Sequence, residues 1–121
     1  AILANKMGAS GVIGIDNDEW AWRNARENFR INGLDEELVY LGDASLIQAE
    51  AYDIILANIN RNVLLQDIKE YSMGLRTGGQ LLLSGFYQRD AEAIQPVAFS
   101  CNLKFIGMES LHDWTVLLLN K

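Results

Sequence analysis

Three short stretches carry side chains suited to chemistry: Asp16-Asn17-Asp18, Gly42-Asp43-Ala44 and Asn58-Ile59-Asn60. Each follows a largely apolar run, "GVIGI", "ELVYL" and "DIILA" in turn. A carboxylate at the end of a strand can accept from both hydroxyls of a ribose, which is the chemistry open to Asp16. Asp43 can accept from the amino group of an adenine, with Ala44 offering its backbone N–H. Asn58 carries a donor and an acceptor on one amide. Its oxygen can hold an amine N–H and point the nitrogen lone pair at an electrophilic carbon. A carboxylate there would favour the ammonium, which cannot attack. Each group also has a plainer role. Asp16, Asn17 or Asp18 can cap the following helix, Asp43 can serve a turn after glycine, and Asn58 can cap a helix beginning near Arg61. One helix needs only one cap, and Asn60 is the better placed of the two asparagines, which leaves Asn58 free.

The elements that position these groups alternate along the chain. Residues 1–7 read as the end of a helix stopped by Gly8, and residues 11–16 as a short strand. The stretch 17–33 is a helix with Ala21, Ala25 and Phe29 on one face, opened by Asp18 and Glu19 at its positive end. Residues 37–44 are the second strand and 52–58 the third. A helix over 61–75 carries Leu64, Ile68, Tyr71 and Leu75 as one stripe. Gly78-Gly79 turns into "QLLLSGF", a strand apolar on both faces. Residues 89–102 read as a helix with Ile94, Val97 and Cys101 inward, and Pro96 inside it predicts a kink or a late start. Strands over 103–110 and 114–121 flank the link "LHD", a hairpin spacing that makes them antiparallel. Strand-helix alternation with apolar strands predicts a mostly parallel α/β sheet covered on both faces, built as a single domain over 1–121. In such sheets ligands sit beyond the carboxyl ends of the strands, where all three polar stretches fall.

Composition sets the surrounding limits. The chain has 121 residues, half of them hydrophobic, and a net charge of -6. That balance argues against a general nucleic-acid surface and suits a basic peptide partner. Cys101 is the single cysteine, so no internal disulfide forms and a reducing cytoplasm is the simplest setting. No run is long enough to span a membrane, and no cluster has metal-ligand spacing. His112, the only histidine, reads as a solvated link residue. Trp20, Trp22 and Trp114 read as core or surface cover, with Trp20 near enough to Asp16 in sequence to touch an adenine.

The stretches "GVIGIDNDEWAWRNARENFRING", "GDAS", "YDIILANINRNVLL" and "GGQLLLSGFYQRD" resemble the ribosomal protein L-11 methyltransferases (PrmA), with "LANINRN" and "LLLSGFY" the most specific. The resemblance implies a Rossmann-like class I methyltransferase sheet with an antiparallel last strand, and S-adenosylmethionine as cofactor. It implies that Asp16, with Asn17 beside it, binds the ribose, that Asp43 and Ala44 bind the adenine, and that Asn58 lies beside the methionine and the incoming amine. The implied substrate is ribosomal protein L-11, methylated on lysine side chains and an N-terminal amine. Related amide methyltransferases place asparagine, two prolines and an aromatic here; Asn58-Ile59-Asn60-Arg61 lacks that clamp, which favours an amine.

The family's glycine-rich loop, the strand before it and a small recognition domain are expected upstream of Ala1. Without that strand a slot should separate the strand ending at Asp16 from the strand ending at Asn58, and residues 1–121 alone are expected not to methylate. Two alternatives stand beside this reading. One is a methyltransferase for a small amine; the other is a non-catalytic nucleotide-binding domain, in which Asp16 would still serve a ribose but the amide of Asn58 would have no task.

Overall fold

The computed structural model describes all residues 1–121. Its contacts cluster into two compact units, Ala1–Leu46 and Ile47–Lys121. The strands form two sheets, which matches the expectation that the strands ending at Asp16 and Asn58 do not pair with each other.

The first unit contains α1 (Ile2–Lys6), β1 (Gly14–Asp16), α2 (Glu19–Ile31) and β2 (Val39–Leu41). β1 and β2 pair in parallel, with Asp16 opposite Leu41. Both strands are shorter than their apolar runs suggest. Residues 36–38 form a 3₁₀ turn capped by Asp35, and Ala44–Leu46 form another, so residues 37 to 44 are strand only at their centre. Two strands alone bury little, and Tyr40 and Leu41 remain exposed. Of the α2 face expected to meet the sheet, Phe29 is buried and Ala21 and Ala25 are half-buried; beside it, the Trp22 indole N–H donates to the Val39 carbonyl at 2.9 Å. Trp22 is thus a packing residue with its polar atom satisfied. Trp20 is exposed.

The second unit contains β3 (Tyr52–Asn58), α3 (Arg61–Gly74), β4 (Leu75–Tyr87), α4 (Ala91–Ser100), β5 (Lys104–Leu111) and β6 (Trp114–Asn120). Sheet order is β3-β4-β6-β5, with β3 parallel to β4 and β6 antiparallel to both its neighbours. The anticipated stripe of Leu64, Ile68, Tyr71 and Leu75 is buried in full. It packs with Leu81, Leu83, Leu117 and Leu119, alternate residues of the two central strands and therefore one face of the sheet. Burying side chains of this size contributes about 1.5–3 kcal/mol each relative to exposure.

Several expectations need correction. The opposite face of this sheet is not fully covered: Ile54 and Leu56 are 57% and 60% exposed, because the helices of this unit pack on the other face. Gly78-Gly79 does not separate helix from strand; pairing begins at Leu75, and the ladder skips from Leu75 opposite Tyr52 to Gln80 opposite Ile54. α4 starts late, at Ala91 after a 3₁₀ turn over Gln88–Asp90, and continues through Pro96. Its buried face is Ala91, Ile94 and Ala98, while Val97 and Cys101 are only half-buried. The hairpin link is the pair His112-Asp113, both with positive φ (49° and 67°), the type I′ geometry whose twist matches the flanking strands.

Candidate functional site

In the first unit the carboxyl ends of β1 and β2 bring Asp16 and Asp43 side by side. The Gly42 N–H donates to the Asp16 carbonyl at 2.9 Å, so the chain leaves β2 directly against the end of β1. Asp18 is the helix cap: its carboxylate accepts from the Ala21 N–H at 2.7 Å. Asp16 accepts from the Asp18 N–H at 2.9 Å through Oδ1 only, which leaves Oδ2 for a ligand. Asn17 is exposed between them. Three residues are offered, one caps, and the carboxylate ending the strand keeps a free oxygen at the surface.

Asp43 accepts from the Ser45 N–H at 2.9 Å and opens the 3₁₀ turn of Ala44–Leu46. Hydrogen bonds from the Ser45 side chain and backbone hold its carboxyl below the usual aspartate range. Asp43 therefore does have the turn role that its place after glycine suggested. Ala44 is buried and is the first residue of its turn, so its N–H has no partner within that turn.

In the second unit Asn58 ends β3 and Asn60 begins α3. Asn60 is the cap, accepting from the Val63 N–H at 3.3 Å. Asn58 is thus exempt from capping, as its position implied. It is held instead by the next strand. Asn58 lies opposite Ser84 in the ladder, the Ser84 hydroxyl donates to Asn58 Oδ1 at 3.1 Å, and the Ile59 N–H donates to the Ser84 carbonyl at 3.0 Å. Oδ1 retains a second lone pair for an incoming N–H.

Gly85 completes the bracing. Its φ is +92°, and a Cβ there would stand 2.8 Å from the Ile59 carbonyl oxygen and 2.9 Å from Asn58 Oδ1. Only glycine lets β4 pass this close to the amide. Neither Ser84 nor Gly85 was given a task from the sequence; the signal available was a polar residue followed by glycine late in an apolar strand.

These residues form one wall of a cleft of about 650 Å³. Asn58, Ile59, Asn60, Ser84 and Gly85 line it at the ends of β3 and β4, and Glu109, Leu111, Trp114 and Val116 of the hairpin continue the lining. The hairpin wall was not anticipated. Trp114, read as core or surface cover, is the latter: it is 55% exposed, with its ring tilted against Tyr87 at a centroid distance of 4.9 Å. No group of His, Cys, Asp or Glu side chains could hold a metal, and no helix is long and apolar enough to cross a membrane.

The family model for ribosomal protein L11 methyltransferase (PrmA) matches residues 1–121. The chain belongs to this family. It is 44% identical over 118 residues to a ribosomal protein L11 methyltransferase of Porphyromonas gingivalis, covering 97% of this chain and 41% of the relative. It is 42% identical over 115 residues to the protein of that name from Bacteroides fragilis, covering 94% of this chain and 41% of the relative. The chain thus spans about two fifths of the length of these relatives.

Among solved structures, the ribosomal protein L11 methylase of Lactobacillus delbrueckii subsp. bulgaricus superposes with a TM-score of 0.90 at 24% identity, covering 98% of this chain and 62% of that one. M. jannaschii TYW2, solved in complex with AdoMet, gives 0.71 at 17% identity, covering 98% and 60%. At these identities the likeness establishes the fold: a class I methyltransferase α/β fold, as the sequence motifs implied.

Proposed function

We propose that residues 1–121 serve as the catalytic domain of an S-adenosylmethionine-dependent protein N-methyltransferase acting on amino groups of ribosomal protein L-11. Family membership supports the reaction class. The observation that carries the reading is the Asn58 amide, exposed at the end of β3, excused from capping by Asn60 and braced by Ser84 and Gly85.

The residues present fit the nucleoside end of the cofactor. Asp16 keeps a free carboxylate oxygen at a strand end, suited to a ribose diol, with Asn17 beside it. Asp43 and the Ala44 N–H offer an acceptor and a donor to an adenine edge. When bound, the cofactor supplies a sulfonium-activated methyl group. The protein's task is then orientation and exclusion of water. Asn58 Oδ1 accepts an N–H of the neutral amine and so aims its lone pair. Ser84 fixes the amide plane, which lowers the entropy lost when the amine docks. The group bonded to Asn58 is the neutral Ser84 hydroxyl, which does not favour the ammonium as a carboxylate would.

A cytoplasmic setting suits a ribosomal substrate, and the half-buried lone thiol of Cys101 would be kept reduced there. The test is direct. The natural polypeptide carrying these residues is incubated with labelled S-adenosylmethionine and ribosomal protein L-11, and modified positions are mapped by mass spectrometry. Label on lysine side chains or the N-terminal amine is expected. Label on small amines with none on the protein would replace this reading by the small-substrate one.

A further inference from the structure

Glu109 is the single charged residue lining the cleft, and it makes no hydrogen bond or ion pair within the chain. Its place relative to Asn58 follows from the register. Asn58 lies opposite Ser84. Ser84 falls in the irregularity between Leu83, opposite Leu117, and Phe86, opposite Thr115, which puts it across from Val116. Val116 lies opposite Glu109. Asn58, Ser84, Val116 and Glu109 thus form one row across the sheet, with the amide at one end and the carboxylate at the other.

The row spans three interstrand steps, about 14 Å at the usual strand spacing. That separation is too great for both ends to touch one amino group. It equals about four residues of extended chain. Between the ends lie the small or apolar side chains of Ser84 and Val116, and the exposed side chains of Leu111 and Trp114 extend this lining toward the hairpin turn. Such a floor accepts the methylene stems of long side chains.

We propose that Glu109 is a specificity-determining residue that reads a positively charged side chain about four residues from the methylated one, in a peptide laid along the row. This rests on the amine-methyltransferase reading of the cleft. The separation resolves a chemical conflict. A carboxylate beside the reacting amine would hold it protonated, whereas one at the far end attracts a cationic segment without touching the amine. The net charge of -6 adds general attraction for such a segment, and Glu109 gives it a register.

The test uses the natural polypeptide and two labelled peptides with one central lysine. One carries lysine about four residues away, the other glutamate. Binding is read by fluorescence anisotropy without methyl donor, and methyl transfer is measured separately. The native protein should bind the lysine-flanked peptide at least about tenfold more tightly, the scale of one charge pair. Glu109→Gln should bring the two peptides within about twofold, and Glu109→Lys should reverse the order. Glu92→Gln, which removes the same charge from exposed α4, should leave the preference intact. An unchanged preference in Glu109→Gln, an equal loss in Glu92→Gln, or no preference in the native protein would overturn the assignment. A Glu109-dependent preference with no methyl transfer to either peptide would uphold it and count against the methyltransferase reading.

Discussion

The two units solve the placement of a polar group in different ways. In the first, the two candidate carboxylates are each held by a backbone N–H two residues on: Asp16 by Asp18 and Asp43 by Ser45. In the second, Asn58 is fixed by residues 26 positions away, through Ser84, and by the absence of a side chain at Gly85. The first arrangement leaves exposed carboxylates on short strands. The second sets an amide on a sheet whose core residues are almost wholly buried. Binding a flexible nucleoside tolerates small errors in position. Aiming a lone pair does not, because a small displacement of the reacting atom can cost a hundredfold in rate.

The largest way to break this contrast is at Gly85. Gly85→Val adds a side chain where even a Cβ would stand 2.8 Å from the Ile59 carbonyl, at a φ of +92°. Backbone strain alone should cost about 1–3 kcal/mol of stability, and methyl transfer should fall by two orders of magnitude or more. Thermal melts and single-turnover rates check both. A fully active Gly85→Val protein would mean that the close approach is incidental.

Asp16→Ala probes the other unit. It should weaken S-adenosylmethionine binding by about 1–3 kcal/mol, the range for lost hydrogen bonds to a charged group, with little change in melting temperature. Calorimetry showing unchanged affinity would remove Asp16 from the cofactor site. Asn60→Ala should be milder still: loss of a cap, about 1 kcal/mol of stability, and near-native rates. That variant separates the two asparagines, since a large rate loss with normal stability would place Asn60 in the chemistry.

A small effect should appear in alkali. Tyr71 is buried and its hydroxyl lies 3.5 Å from Asp67, so burial first and the aspartate charge second raise its pKa well above the ordinary tyrosine value. The neutral phenol is the form the folded state favours. This contribution is therefore fully present below the unfolded-state pKa near 10 and is lost as pH rises beyond it. Denaturant melts should show stability falling above that pH, and less steeply in Tyr71→Phe.

The contrast between units also explains what was legible in the sequence. The α3 stripe, the β3 boundaries and the division of labour between Asn58 and Asn60 follow from periodicity and capping, which are local. So do Asp16 and Asp18. The hairpin wall was not legible, because Glu109 and Trp114 reach the cleft only through the order β3-β4-β6-β5, where the last strand of the chain enters between two earlier ones. The exposed face of Ile54 and Leu56 was hidden for the same reason: apolar residues on both sides of a strand say that both sides can be covered, not which elements cover them. The short β1 and β2 reflect pairing along a single edge, which hydrophobic pattern does not report.

The central claim is that Asn58 orients an amine. Asn58→Ala measured in the natural polypeptide, with the methyl-transfer rate constant and the S-adenosylmethionine dissociation constant taken on the same preparation, tests it most directly. Removing one preorganised hydrogen-bonding group should lower the rate by about 10²–10³ and leave cofactor affinity within about threefold. Equal losses in rate and affinity would make Asn58 a cofactor ligand only, and an unchanged rate would contradict the account.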